Sequence, residues 1–340
     1  MTGAKETAGL TDEKKTGGPA IGGQATDGQA IGGQAIGGPA GLATRAGFVA
    51  LIGEPNAGKS TLLNQLVGAK VSIVSRKVQT TRTQVRGIAM SGASQIVFVD
   101  TPGIFRPKRR LDRAMVTSAW GGATDADIVG LLIDVSRHNT AETTELLARV
   151  GEIAQPKFLI LNKVDTLKDK STLFSISTQL NEKAKFETTF MISALSGSGV
   201  KAMLEWLAGR VASGPWLYPE DQVSDAPLRF LAAEITREKM YERLHDELPY
   251  RSTVETESWQ QKPDGSVRIE QTIFVERESQ RKIVLGKAGA TIKAIGQSAR
   301  RDIAEAAEAT VHLFLFVKVR EDWGNDPARY KEMGLDFPQG

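Results

Sequence analysis

The chain contains no cysteine, which excludes disulfides, thiolate metal sites and a cysteine nucleophile, and fits the reducing cytosol. Histidine is nearly as scarce. His138, His245 and His312 lie too far apart to read as a zinc site. Long apolar runs are missing too: the most apolar stretch, Ile128 to Ile133, is cut by Asp134, far short of the ~18 residues of a membrane span. Charge of one sign is not in excess. Lysine and arginine number 43 against 40 acidic residues, a net +3, so affinity for a polyanion must come from where the charges sit. What is present is ordinary for a water-soluble chain, 41% hydrophobic and 24% charged over 340 residues, enough for two domains with separate cores.

Glycine is concentrated at one end. The first 44 residues hold 12 of the 34 glycines and repeat Ala-Ile-Gly-Gly at Ala20, Ala30 and Ala35. With so few large apolar groups to offset ordering entropy, residues 1–44 read as a disordered tail. Lys5, Glu6, Asp12, Glu13, Lys14 and Lys15 leave no apolar core for a signal peptide.

From residue 45 to 213 strands alternate with helical stretches. Strands are expected at 47–52, 84–90, 95–99, 128–135, 158–161 and 188–192, and helices after residue 58, at 141–153, 171–184 and 199–212. Most strands are short, near-continuous apolar runs, as in a mostly parallel sheet covered on both faces. The first one, Phe48 to Ile52, feeds Gly53-Glu54-Pro55-Asn56-Ala57-Gly58-Lys59-Ser60-Thr61, which matches the phosphate-binding pattern G-x-x-x-x-G-K-[ST]. Its backbone N–H groups and the following helix end can surround a di- or triphosphate. Lys59 would reach the β and γ phosphates and Ser60 would ligate Mg²⁺.

Further motifs close later strands, where ligands of such sheets bind. Asp100-Thr101-Pro102-Gly103 offers Asp100 to Mg²⁺ through water and the Gly103 N–H to a γ-phosphate. Asn162-Lys163-Val164-Asp165 follows the strand at 158–161. The Asp165 carboxylate suits the ring N–H and exocyclic amine that guanine presents side by side, Asn162 can meet the N7/O6 edge, and the Lys163 stem can lie over the base. A site built for those bonds rejects adenine, which would leave its polar groups stranded. Ser193-Ala194-Leu195 can add a backbone N–H to guanine O6. Between these lies Ser75 to Arg82, rich in hydroxyls, where either Thr80 or Thr81 could close over Mg²⁺ as a switch loop. The residue after Gly103 is Ile104, which has no group to orient an attacking water, so intrinsic turnover should be slow.

Residues 214–227, with Pro215, Pro219 and Pro227, read as a stiff linker. After it the pattern becomes helix, two strands around Pro263-Asp264-Gly265, a short helix, a longer helix and a last strand, a compact α+β domain over 228–335. Val267, Ile269, Ile273 and Val275 share one strand face, and Ile292, Ile295, Ala299, Ile303 and Ala306 one helix stripe. Between the two helices lies Gly286-Lys287-Ala288-Gly289. A Gly-x-x-Gly loop in that place is the backbone clamp with which KH domains hold about four nucleotides of single-stranded RNA. Arg281, Lys282, Lys287, Lys293, Arg300 and Arg301 fall within 281–301 with no acid among them, a basic stripe suited to a phosphate backbone.

The set Gly-x-Pro-Asn-x-Gly-Lys-Ser, Asp-Thr-Pro-Gly, Asn-Lys-x-Asp and Ser-Ala is similar to that of small bacterial GTPases. With the linker Tyr218-Pro219-Glu220-Asp221-Gln222, the KH-type domain and the tail Val317-Lys318-Val319…Asp322-Trp323, residues 45 to 335 resemble the Era family of bacterial ribosome-assembly GTPases. The resemblance implies a P-loop GTPase domain, α/β and doubly wound, followed by a smaller α+β KH domain. It also implies GTP and GDP as ligands, Mg²⁺ as cofactor, the 3′ end of 16S ribosomal RNA and the 30S subunit as partners, and a role in late assembly of that subunit. A cytoplasmic monomer that can associate peripherally with the inner membrane is expected. Similar GTPases with asparagine at the place of Asn56 use its amide oxygen to hold K⁺, which would make Asn56 a second cation site. Two other readings are a GTP switch acting in tRNA modification or at the membrane, and an RNA-binding module whose phosphate loop is only structural.

Overall fold

The computed structural model describes residues 43–338, so the expectation of a disordered tail falls almost wholly outside them. The chain starts with β1 (Arg45–Gly53), turns through the phosphate loop into α1 (Lys59–Val67), and returns as the hairpin β2 (Val85–Ser91) and β3 (Ser94–Asp100). Then follow α2 (Arg110–Asp125), β4 (Ile128–Asp134), α3 (Ala141–Gly151), β5 (Lys157–Asn162), α4 (Thr172–Lys183), β6 (Thr189–Met191) and α5 (Val200–Ala208). The sheet runs β2-β3-β1-β4-β5-β6 and is parallel except at β2/β3. Its centre is β1, paired on both sides, with Val49 beside Phe98 and Ile128. Val49 and Leu51 pack beneath α1 and α5, Ile52 beneath α3 and α4, all buried. At roughly 1.5–3 kcal/mol for each fully buried Val, Leu or Ile, those two layers hold the strand ends in place.

One helix was not legible. α2 occupies a stretch to which no element is assigned from sequence, because its buried stripe of Leu111, Ala114, Met115, Ala119 and Ala123 is mostly alanine and Gly121-Gly122 interrupt it. The Asp112 carboxylate fixes its start, accepting from the N–H groups of Lys108 (3.1 Å) and Arg109 (3.0 Å). α5 is also shorter than the expected 199–212, ending before Gly209.

Residues 214–227 are pinned rather than free. The Trp216 indole donates to Ala93 O (3.0 Å), Gln95 is bonded at both ends of its amide to Leu217 and Tyr218, and Ile88 N–H donates to Val223 O at 2.9 Å. The segment runs along the outer edge of β2.

Beyond it come α6 (Leu228–Arg243), β7 (Ser252–Gln261), β8 (Val267–Val275), α7 (Glu278–Leu285), α8 (Ala290–Ala306), β9 (Val311–Val319) and a short α9 (Pro327–Glu332). β7 and β8 are antiparallel, β8 and β9 parallel, and the parallel pair needs the crossover that α7 and α8 supply. Val267, Ile269, Ile273 and Val275 meet Ile295, Ala299 and Ile303 on the helix side, while Phe314 and Phe316 face away, partly exposed. The helices cover one face; on the other, Thr272 and Phe274 are also buried, with Arg329 of α9 4.8 Å from the Phe274 ring.

Candidate functional site

The loop after β1 forms one wall of a cleft of about 850 Å³ lined by residues 55–61, the loop 73–81, Gly103 and Lys163. Gly58 sits at φ +105°, and a Cβ there would fall 2.3 Å from the Asn162 amide nitrogen, so only glycine lets the loop close onto β5. Lys59 is fully enclosed and its ammonium donates to Gly53 O and Glu54 O, both at 3.0 Å. Burial lowers its pKa to about 8, against the pull of Asp100 and Glu54. Glu54 itself turns away from the cleft: its carboxylate accepts from Thr143 and Thr140 and pairs with Arg137 at 3.0 Å, tying the loop to the start of α3. Asn56, at φ +63°, donates its amide N–H to Arg76 O at 2.8 Å and leaves its amide oxygen free among the described residues.

Asp100 ends β3 in full burial. Its Oδ2 accepts from Ser60 (2.7 Å), Ser72 (2.9 Å) and Thr81 (3.3 Å), while Oδ1 has no partner among the described residues. Burial raises its pKa, with Lys59 and the three hydroxyls pulling the other way. Ser60 and Thr81 hydroxyls are 2.9 Å apart. An orphaned carboxylate oxygen beside two hydroxyls is a set of hard oxygen donors, and it fits Mg²⁺. The two threonines left open by the sequence are separated: Thr81 lies at this corner, and Thr80 donates its hydroxyl to Lys77 O at 2.8 Å. Thr101 is bonded to Leu51 O (2.8 Å) within the sheet. Ile104 gives its N–H to Gly53 O at 3.0 Å and packs its side chain against the α3/α4 core.

On the base side Asn162 is buried, its amide N–H donates to Ala57 O (2.8 Å) and its oxygen accepts from the Ala194 N–H (2.9 Å), so it clamps the phosphate loop to the Ser193-Ala194 turn. The Lys163 ammonium reaches back to Asn56 O (2.8 Å) and Asp134 (2.7 Å). Burial of Asp134 is outweighed by the bonds from Lys163 and Ser136, which hold its carboxyl below the usual range. Asp165, in the turn Val164–Thr166, and Leu195 are exposed, and Val164 is buried. Ser72 and Asp134 were missed from sequence. The signal for Asp134 was there, a carboxylate closing an apolar strand; for Ser72 there was none.

The second feature is the loop between α7 and α8. Gly286 has φ +74°, and a Cβ would lie 2.2 Å from the Thr291 hydroxyl. Ala288 is also left-handed at φ +51°. Of the six basic residues around it, Arg281 pairs with Glu278 (2.9 Å) and Arg301 with Asp302 (3.0 Å). Lys282, Lys287, Lys293 and Arg300 make no ion pair among the described residues and are exposed. Four of the six therefore have no acidic partner among the described residues, while Arg301 and Arg281 hold surface ion pairs and remain accessible, 77% and 41% exposed.

Phosphate loop, metal corner and base-side loop at one end of a mostly parallel sheet, followed by a helix–loop–helix on a three-stranded sheet, define a P-loop GTPase domain joined to a KH domain. A family model described as "50S ribosome-binding GTPase" matches residues 48–163, and one described as "KH domain" matches 247–324. The GTPase Era of Mesorhizobium japonicum is 67% identical over 296 residues, 87% of this chain and 95% of that protein. That of Brucella suis is 66% identical over 295 residues, 87% and 94%. Two solved structures, one of an Aquifex aeolicus Era variant bound to GDP·AlF4⁻ and one of Era with MgGDPNP and nucleotides 1506–1542 of 16S ribosomal RNA, each match at TM-score 0.81 and 33% identity, covering 86% of this chain and 99% of theirs. The chain belongs to the Era family of GTPases. The fold class and enzyme class read from the motifs are borne out.

Proposed function

We propose that this GTPase acts in assembly of the small ribosomal subunit, holding the single-stranded 3′ end of 16S ribosomal RNA at Gly286–Gly289 while the sheet-edge site binds and hydrolyses GTP. The observation that carries the RNA half is the loop itself: two glycine-dependent turns between α7 and α8, flanked by Lys282, Lys287, Lys293 and Arg300 with no acidic partners among the described residues. A phosphate backbone needs that close approach and charge. The likeness to an Era structure that contains 16S nucleotides supports the choice of RNA. In this reading the GTPase domain comprises 45–213, the connector 214–227 and the RNA-binding domain 228–335.

At the nucleotide, Lys59 would exchange the Gly53 and Glu54 carbonyls for the β and γ phosphates, and Ser60, Asp100 and Thr81 would hold Mg²⁺, which would supply neutralisation of phosphate charge. The Gly103 N–H meets the γ-phosphate, Asp165 the guanine edge and the backbone beside Leu195 guanine O6. Ile104 offers nothing to a water, which leaves positioning to the backbone and slow turnover as the outcome. The free Asn56 amide oxygen supports a K⁺ site at the phosphates.

Gly289→Asp is the milder variant: its φ of +76° strains a side chain, but a Cβ there meets nothing within 4 Å and aspartate tolerates the left-handed region better than most residues, whereas Gly286→Asp would disrupt the loop itself. Gly289→Asp should weaken binding of a 16S 3′-end oligonucleotide by about tenfold or more, the order of a few lost phosphate contacts, with nucleotide affinity intact. Unchanged RNA affinity at fixed salt would refute the assignment.

A further inference from the structure

Helix α6 is buried on two sides. One side, with Ala232, Ala233, Ile235 and Met240, packs into the core of the C-terminal domain. The other carries Arg237, Glu238 and Tyr241, equally buried, and buried polar groups need partners. The partners lie on residues 70–82, the loop between α1 and β2. Glu238 accepts from Val74 N–H at 2.8 Å and from the Lys70 ammonium at 2.5 Å. The Tyr241 hydroxyl donates to Gln79 O (3.3 Å), and Arg237, held by Glu234, donates to Thr80 O at 2.6 Å. From the opposite direction Arg82 enters the C-terminal domain, donating to Ser252 O (2.9 Å) and Pro249 O (3.2 Å) with its charge 5.6 Å from the Trp323 ring. Between Thr80 and Arg82 stands Thr81, the residue whose hydroxyl reaches Ser60 and Asp100.

We infer that Arg237 and Tyr241 are positioning residues for the GTPase site, supplied by the RNA-binding half of the chain. They fix the backbone before Thr81, Arg82 fixes it after, and the Thr81 hydroxyl is thereby kept at the metal corner. Arginine suits the task because its planar fork grips both Glu234 oxygens and reaches the Thr80 carbonyl in one fixed geometry. Tyr241 and Glu242 also wall the nucleotide cleft. With residues 214–227 pinned to β2, the contacts that reach the 70–82 loop from the C-terminal half come from α6 and from the Ser252, Pro249 and Trp323 surroundings of Arg82, not from the linker. GDP lacks the phosphate that Thr81 would face, so the device acts on the triphosphate state alone. By reciprocity, RNA that shifts α6 changes affinity for Mg²⁺ and triphosphate, and the reverse.

This rests on the reading of the Ser60–Thr81–Asp100 corner as the Mg²⁺ site, and the test separates the two. A fluorescent non-hydrolysable GTP analogue and fluorescent GDP are titrated into the full chain with Mg²⁺ and with EDTA, for the native protein, Arg237→Gln and Tyr241→Phe. The expected result is analogue binding weakened by about tenfold in Arg237→Gln and by a smaller factor in Tyr241→Phe, the range of coupling between sites, only when Mg²⁺ is present and with GDP affinity unchanged. The Mg²⁺ concentration for half-maximal analogue binding should rise in both. Equal weakening of GDP and analogue, or no weakening, overturns the inference. Should Arg237→Gln fail to fold, Tyr241→Phe, which removes a single hydroxyl, decides alone. A native protein that binds the analogue equally with Mg²⁺ and EDTA would instead overturn the reading of the metal corner.

Discussion

A lysine enclosed by protein keeps its proton only where something nearby needs a cation, and Lys59 has two loop carbonyls and a partly compensating Asp100. Its pKa of about 8 lies below the 10.5 of an exposed lysine. Between those values the unfolded chain binds more proton than the folded one, so this group's contribution to stability increases as pH rises through that window and is least favourable below it. A bound triphosphate reverses the cause by bringing negative charge to the ammonium, which must then take up a proton above about pH 8. Calorimetry of GTP-analogue binding in buffers of different ionisation enthalpy should show net proton uptake near pH 9, approaching about one proton, that fades toward pH 7. No uptake at the higher pH would contradict this account of Lys59. Asn56 makes a second prediction at the same scale. If its free amide oxygen holds K⁺, GTP hydrolysis in K⁺ exceeds that in Na⁺, and Asn56→Ala removes the difference; equal rates in both salts for the native chain would exclude it.

Among the elements, α2 depends most on its surroundings. Its alanine-rich stripe buries little area alone, and Leu111, Ala114 and Met115 are completed by Trp323, Tyr330 and Leu335 from the end of the chain. Trp323 is buried, stacks beneath Arg82 and donates to Arg251 O at 3.1 Å. Trp323→Ala should cost about 3–5 kcal/mol in urea unfolding, the range for a buried tryptophan; a loss under about 1 kcal/mol would mean the packing is incidental. The same dependence explains which elements sequence could and could not show. β1, β3, β4 and β5 are legible because strands buried on both faces must be apolar throughout, and the α7–loop–α8 unit because Gly286 and Gly289 take backbone angles other residues resist. α2 and α9 are defined by contacts hundreds of residues apart along the chain in the first case and by a short proline-started turn in the second, and neither leaves a periodic apolar signal. At the site, Lys59, Ser60 and Asp100 could be assigned from local spacing. Choosing Thr81 over Thr80 could not, since the two hydroxyls separate only in three dimensions, Thr81 toward Ser60 and Asp100 and Thr80 toward Lys77 O.

For the molecule as a whole, a net charge of only +3 says less than its arrangement. Carboxylates and hydroxyls gather at one end of the six-stranded sheet, and accessible lysines and an arginine at the α7–α8 loop, with α6 and residues 70–82 joining the two regions. In the proposed reading, a GTP site reached through the RNA-binding half acts as a timer, with nucleotide state setting how long RNA is held. The central claim is what that RNA is. Ultraviolet cross-linking of the full chain in cells of its own source, followed by sequencing of the attached RNA, tests it most directly. The account predicts reads concentrated at the 3′ end of 16S ribosomal RNA and lost in Gly289→Asp; reads concentrated on transfer RNA, or spread along ribosomal RNA and unchanged in the variant, would contradict it.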